Sequence, residues 1–192
     1  MVTFLRILVG VALLVAVLIG FSYVLPRHIT VERDVVIDAP AEVVFEQVNS
    51  LQTFAEWSPW SDYDPDMEVV FSGPTEGVGN RMEWSSMDPQ VGRGSQEIVE
   101  STENRSVRTA LDFGEMGSGE AWFVLEPSGT STNVTWGLEA DMGNTPTGRY
   151  MGLVMDQLVG GDYERGLAAL KLRAEAANAQ PGTQESSSKA EN

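Results

Sequence analysis

General acid–base chemistry needs a carboxylate or imidazole held in a dry cleft, where burial moves its pKa toward neutrality. The carboxylates set among apolar neighbours are Glu83, Glu97, Glu100 and Asp112, each inside a run that reads as a strand. Alternation sends Glu83 and Asp112 to the face opposite Met82, Trp84, Leu111 and Phe113, and therefore to solvent. Glu97 and Glu100 remain as weak candidates for a catalytic acid or base: they have opposite parity, so strict alternation would turn one of them inward. The only imidazole, His28, follows the apolar N-terminal run and reads as an interfacial, solvated group. No Gly-x-Ser-x-Gly elbow is present, and without an inward histidine to activate a hydroxyl a Ser/His/Asp hydrolase is excluded. Gly77-Val78-Gly79 and Gly92-Arg93-Gly94 do not join a strand to a helix and no Gly-Lys-Ser/Thr follows, so they read as hairpin turns. Asp62, Asp64 and Asp66 alternate as calcium ligands can, but Tyr63 and Pro65 interrupt them and the EF-hand glycine and glutamate are missing; Asp64-Pro65 reads as a turn. Asn133-Val134-Thr135 fits a glycosylation sequon, but within a strand. No catalytic residue, metal site or cofactor is assigned.

Binding chemistry is better represented. Trp57 and Trp60 follow two short helical runs, while Trp84, Trp122 and Trp136 fall on strands. Alternation groups Met82 with Trp84, then Val107, Thr109, Leu111 and Phe113, then Val134, Trp136 and Leu138. On the strand between, Ala121, Phe123 and Leu125 are placed inside by volume and Trp122 outside. The side chains expected to line an apolar pocket are Trp57, Trp60, Phe71, Met82, Trp84, Leu111, Phe113, Phe123 and Trp136, with Met142, Met151 and Met155 on the helix side, where methionine adapts to varied guests. The same residues serve equally well as ordinary core.

Elements must position these groups, and composition bounds what they can be. The chain has 192 residues, 12 Lys+Arg against 28 Asp+Glu, a net charge of −16, one His and no Cys. Disulfides, thiolate zinc sites, iron–sulfur clusters and cysteine nucleophiles are excluded. Such acidity repels phosphate backbones and anionic headgroups, so nucleic acid is not expected as a partner. No charge occurs from Ile7 to Leu25, which at about 1.5 Å per residue spans about 28 Å, close to the thickness of a bilayer core. Residues 1–26 therefore read as an uncleaved signal anchor, in preference to a cleaved signal peptide, for which Gly20-Phe21-Ser22 is a poor site. So short a tail before the span stays in the cytoplasm and would place the domain outside it. All the acids, and every base but Arg6, lie beyond residue 26. Residues 27–178 form one domain, and 179–192, with Pro181, Gly182 and a serine run, read as a disordered tail.

Within the domain, Val31, Val35 and Ile37 mark a strand from about His28 to Ile37. Asp38-Ala39-Pro40 then introduces a short helix with Ala41, Val44, Phe45 and Val48 on one face, and a second covers Leu51 to Glu56. Six strands follow over Met67–Ser72, Arg81–Ser86, Gly94–Thr102, Ser106–Phe113, Glu120–Glu126 and Thr132–Glu139, joined by short turns that demand antiparallel pairing. Thr145 and Pro146 open a last, long helix, whose first half presents Met151, Val154, Met155 and Leu158 and whose second presents Tyr163, Leu167 and Leu170. Gly160-Gly161 predicts a break between the halves, with Asp162 as a new cap. Only this helix is long enough to cover the apolar face of the sheet.

That order, together with Ile37-Asp38-Ala39-Pro40, Trp57-Ser58-Pro59-Trp60, Ser72-Gly73-Pro74, Leu125-Glu126-Pro127, Thr132-Asn133-Val134-Thr135-Trp136 and Gly166-Leu167, resembles the START-like (SRPBCC) superfamily, particularly its polyketide cyclase/dehydrase and lipid-transport branch. The resemblance covers roughly Ile29 to Arg173 and implies an α+β helix-grip fold, a curved antiparallel sheet of six to seven strands wrapped around the C-terminal helix. It further implies a cavity between sheet and helix for a lipid-like, isoprenoid-like or aromatic molecule, with no universal catalytic signature to carry over. Two other readings stay open: a protein–protein module with a closed core, and a cyclase/dehydrase-type enzyme using an inward carboxylate.

Overall fold

A computed structural model of the chain describes residues 2–114 and 117–179. Helix α1 (Val2–Ser22) is apolar on all sides beyond Arg6, and its large side chains from Phe4 onward are exposed. Over Thr3–Ser22 it is, among the described residues, the one helix long and apolar enough to cross a membrane. It ends short of the expected Leu25, and Tyr23–Arg27 carry the chain straight into β1 (His28–Ile37).

Helix α2 (Ala41–Val48) follows Pro40 and buries Ala41, Val44 and Val48, with Phe45 half-buried. Ser50 caps α3 (Leu51–Trp57), which points Leu51, Phe54 and Trp57 inward, and Pro59 opens a 3-10 turn over Pro59–Asp62. Six strands complete the sheet: β2 (Glu68–Ser72), β3 (Arg81–Ser85), β4 (Arg93–Thr102), β5 (Ser106–Asp112), β6 (Ser118–Ser128) and β7 (Ser131–Asp141). They form one seven-stranded antiparallel sheet in the order β1-β7-β6-β5-β4-β3-β2, so each hairpin neighbour in sequence is a neighbour in space and β1 closes onto β7. The expected strands are all present, with ends displaced by a residue or two.

Asn80 ties the connections together from inside. Its Oδ1 accepts from Leu51 N at 2.7 Å and its Nδ2 donates to Pro74 O at 2.7 Å, which satisfies a buried helix-start amide and ties it to a loop carbonyl nearer the surface.

The C-terminal helix differs from expectation. Thr145 does accept from Gly148 N, and Pro146 opens α4 (Pro146–Gly152), but the chain turns at Leu153-Val154, and α5 (Met155–Asn178) then runs unbroken through Gly160-Gly161. Tertiary contact overrides the helical cost of glycine. A Cβ at Gly160 would stand 2.1 Å from Arg33 Nη2, so this glycine leaves room for the Arg33 guanidinium, which crosses to Asp156 at 2.9 Å and Glu164 at 3.0 Å. Asp162 lies inside the helix instead of capping one, and accepts from Tyr63 Oη at 2.9 Å and from Arg165. Tyr163, Leu167, Leu170 and Ala174 are buried as the stripe of α5. The preceding stripe is largely bare: Met151, Val154 and Leu158 are 48%, 40% and 57% exposed, and only Met155 is half-buried.

Candidate functional site

The concave face of the sheet holds the inward rows expected from alternation: Val107 and Thr109, Ala121, Phe123 and Leu125, Val134, Trp136 and Leu138 are all buried. Its two halves are covered differently. Over β1 and β7 lies α5, and its fit there is tight, because a Cβ on Gly166 would be 2.5 Å from Trp136 Cζ3 and 3.2 Å from Pro59 Cδ. Tyr163 stacks on Trp136 with centroids 3.9 Å apart and planes 15° from parallel. Phe123 stacks on the same indole at 5.1 Å, and Trp57, Trp60 and Phe54 meet it edge-on at 5.7, 5.9 and 5.9 Å. Such packing is worth about 0.5–1.5 kcal/mol per pair beyond area burial. Trp57 also donates from Nε1 to Gln47 O at 3.1 Å. Burial pushes the Tyr163 phenol well above its ordinary pKa, so it is neutral across the physiological range.

Over β3 to β5 the cover is α2 and α3, which share one core with Met82, Ile98 and Val107, and toward the β2 edge and the far ends of these strands burial falls off among the described residues. Val69, Phe71, Trp84 and Leu111 are half-buried and packed against the core, and Phe113 is half-buried beside them. Gly94 is what lets Trp84 lie flat across β4: a Cβ there would be 2.6 Å from Trp84 Cζ2 and 2.7 Å from Asp112 O. Trp84 then donates from Nε1 to Val91 O at 3.3 Å and meets Phe113 edge-on at 6.0 Å. Beneath them the floor is Met82, Gln96 and Thr109, all buried. Gln96 Nε2 donates to Thr109 Oγ1 at 3.0 Å, and Thr109 Oγ1 donates on to Ala121 O at 3.3 Å. That leaves the Gln96 carbonyl oxygen without a donor among the described residues, an acceptor within an otherwise apolar trough.

Glu97 and Glu100 both face the other way. The bulge between Ile98 and Glu100 in the β4–β5 pairing inserts a residue at Val99 and restores the outward parity of Glu100. Glu97 then pairs with Arg81 at 3.3 Å and Glu100 with Arg108 at 3.4 Å, on the convex face, so the expectation that one of them turns inward is not met. Glu83 lies on that face too, against Arg81 at 3.0 Å. Asp64 spends its oxygens on Asp66 N at 3.1 Å and on Ser86 Oγ, which fastens the turn before β2.

Of the expected lining residues, Trp57, Met82, Phe123 and Trp136 are thus buried floor and end wall, Phe71, Trp84, Leu111 and Phe113 are half-exposed rim, Trp60 is half-buried against Trp136, and Met142 and Met151 stand apart beside and on α4, with Met155 at the start of α5. Gln96 and Tyr163 are additions. The parity Gln96 shares with Ile98 carries the signal for the first, and the α5 stripe carries it for the second. Two open depressions are also present, the first sharing Trp84 with this trough and the second apart from it. One, about 410 Å³, is on the convex face among Glu68, Arg81, Glu83, Arg93 and Asp112; the other, about 400 Å³, is at the seam of β1 and α5 among Arg33, Val35, Glu164 and Lys171.

Residues 28–175 match the family described as polyketide cyclase / dehydrase and lipid transport. The chain belongs to that family. No curated protein matches it. Among solved structures, the polyketide cyclase/dehydrase-type domain is similar to norcoclaurine synthase from Thalictrum flavum, with a TM-score of 0.58 at 12% identity over 75% of this chain and 91% of that one. It is similar also to the di-domain ARO/CYC protein StfQ of the steffimycin biosynthetic pathway, with a TM-score of 0.59 at 9% identity, covering 80% of this chain and 52% of that one. A third is protein CV1439 from Chromobacterium violaceum, with a TM-score of 0.55 at 15% identity over 76% and 96% of the respective chains. At such identities the likeness is one of fold: the curved antiparallel sheet and long C-terminal helix are shared, whereas α1 lies outside the residues matched to the family.

Proposed function

We propose that this chain is a membrane-anchored START-like domain that holds a hydrophobic small molecule, lipid-like, isoprenoid-like or aromatic, against the β2–β5 half of its concave face. The observation that carries the reading is the division of that face: an aromatic stack fills the β1–β7 half, while Val69, Phe71, Trp84, Leu111 and Phe113 continue the apolar surface only half-buried. Burial of an apolar guest there gains about 25 cal/mol per Å². The carbonyl oxygen of Gln96 supplies one polar point by which a hydroxyl or amide could be oriented. Helix α1 serves as a single-pass anchor with the domain outside the cytoplasm, which keeps the trough near the phase in which such a molecule dissolves. A second reading, a protein-interaction module with a closed core, draws on the tight contact of Gly166 with Trp136.

Native mass spectrometry of the detergent-extracted full chain, with identification of released small molecules, separates the two. A recurrent apolar guest, lost in Trp84→Ala, is the expected result. Guest-free protein whose thermal stability ignores a panel of lipids and aromatics would overturn the binding reading and leave the interaction module.

A further inference from the structure

The stripe that the sequence assigns to the core but the fold leaves bare has a definite address. Of that stripe Met151, Val154 and Leu158 are 48%, 40% and 57% exposed and Met155 is half-buried, and the neighbouring Leu153 is 55% exposed, a group within eight residues, in contrast to the scattered exposed valines of the sheet. Singly exposed apolar residues need no explanation, whereas a contiguous group does. Helix α4, where the group begins, is fastened to the end of α1. Tyr150 Oη donates to Leu18 O at 2.8 Å, Arg149 Nη1 donates to Leu25 O at 2.6 Å, and the Arg149 guanidinium lies 5.8 Å from the centre of the Tyr23 ring. Behind α4, Gly152 packs so closely on Ile29 that a Cβ would come within 3.0 Å of its Cγ2. The bare ridge is therefore held at a fixed height beside the last turn of α1.

Leu18 lies one helical turn before Ser22, so Tyr150 reaches about 6 Å back along α1 from its end, given about 1.5 Å of rise per residue. That matches the 5–10 Å to which interfacial helices sink their apolar faces. Tyrosine and arginine at that level are the residues that settle at the boundary of hydrocarbon and headgroups. We infer that the ridge Met151–Leu158 seats in the interface of the same bilayer that α1 crosses, as a second membrane contact that fixes the orientation of the domain. The inference rests on the anchor reading of α1. The occupant is lipid hydrocarbon and not anionic headgroup, since the chain carries −16 overall and the nearest acid, Asp156, is already engaged by Arg33 at 2.9 Å.

The natural chain contains no cysteine, which makes site-specific labelling direct. The full chain carrying Leu153→Cys, Leu158→Cys, Leu14→Cys or Val70→Cys, each labelled with an environment-sensitive fluorophore, is reconstituted in phosphatidylcholine vesicles with and without nitroxide-bearing acyl chains. Lipid quenching at 153 and 158 several-fold above that at 70, alongside strong quenching at 14, is the expected result. Quenching at 14 but not at 153 or 158 overturns the ridge and leaves the anchor standing. Absence of quenching at 14 overturns both. Labels at 153 and 158 that are shielded from aqueous iodide yet untouched by lipid nitroxides would show a protein covering the ridge, and would equally overturn it.

Discussion

Gly166→Ala tests the contact that closes the helix onto the sheet. In an ordinary helix the change gains about 0.8–1.0 kcal/mol. Here the new methyl would stand 2.5 Å from Trp136 Cζ3 and 3.2 Å from Pro59 Cδ. Neither neighbour has slack: Trp136 is 2% exposed, stacked on Tyr163 at 3.9 Å and on Phe123 at 5.1 Å, and Pro59 is buried in the 3-10 turn. Overpacking of this kind costs about 1–3 kcal/mol. Gly161, in the same helix, is the internal control, since a Cβ there meets nothing within 4 Å and Gly161→Ala keeps the full propensity gain. The difference between the two variants isolates the overpacking cost, about 2 kcal/mol, or about 6 °C in Tm at about 3 °C per kcal/mol for a domain of this size. Thermal unfolding of the full chain in detergent, followed by near-ultraviolet circular dichroism so that the stacked indoles report, reads both. Gly166→Ala melting at or above Gly161→Ala would refute the claim that α5 lies directly on the sheet over β7.

Three further outcomes follow from contacts described above. Asn80→Ala leaves Leu51 N and Pro74 O without their 2.7 Å partner; because Pro74 is exposed and water can replace its partner, the loss is that of the one buried amide, about 1–3 kcal/mol, and a loss under about 1 kcal/mol in urea titrations counts against it. Arg27, together with the Gly143 amide, holds the Asp141 carboxyl well below the usual carboxylate range. A depressed folded pKa contributes stability present above the unfolded value of about 3.9 and lost as pH falls through the folded one. Asp141→Asn should therefore lower Tm at pH 7 and converge with the natural chain in strong acid; parallel curves down to that limit would dismiss the pair. For Tyr163, whose phenol is pushed up by burial, the folded state retains the proton and stability declines as pH rises past about 10. Ultraviolet titration should find one of the four tyrosines silent until unfolding, and four ordinary titrations in folded protein would contradict it.

Much of the fold was legible in sequence because alternation and turn chemistry are local. Met82 with Trp84, and Val134 with Trp136 and Leu138, declare one face of the sheet, and Thr145-Pro146 declares a helix start. What escaped was set by partners far away in the chain. Gly160-Gly161 reads as a break only so long as Arg33, more than a hundred residues earlier, is left out of account. The bulge at Val99 is invisible to parity counting, and it alone decides that Glu100 faces solvent. The stripe at Met151 to Leu158 shows correct helical periodicity, and periodicity does not say whether a core or another phase receives it. The trough was half legible: its aromatic walls were expected, whereas its polar floor at Gln96 follows from pairing with Met82 and Leu111.

The join between α1 and β1 carries a consequence of its own. Only Tyr23–Arg27 separate them, and within that stretch Leu25 O accepts from Arg149 while Arg27 O accepts from Met142 N at 2.9 Å. A domain on a flexible leash samples a hemisphere and can carry cargo outward; this one has no leash. With α1 as the anchor and the trough as the binding surface proposed above, every copy in a given leaflet would present its trough at one elevation and one tilt, so a molecule passed between copies would travel sideways along the surface, and any acceptor would have to come down to meet it.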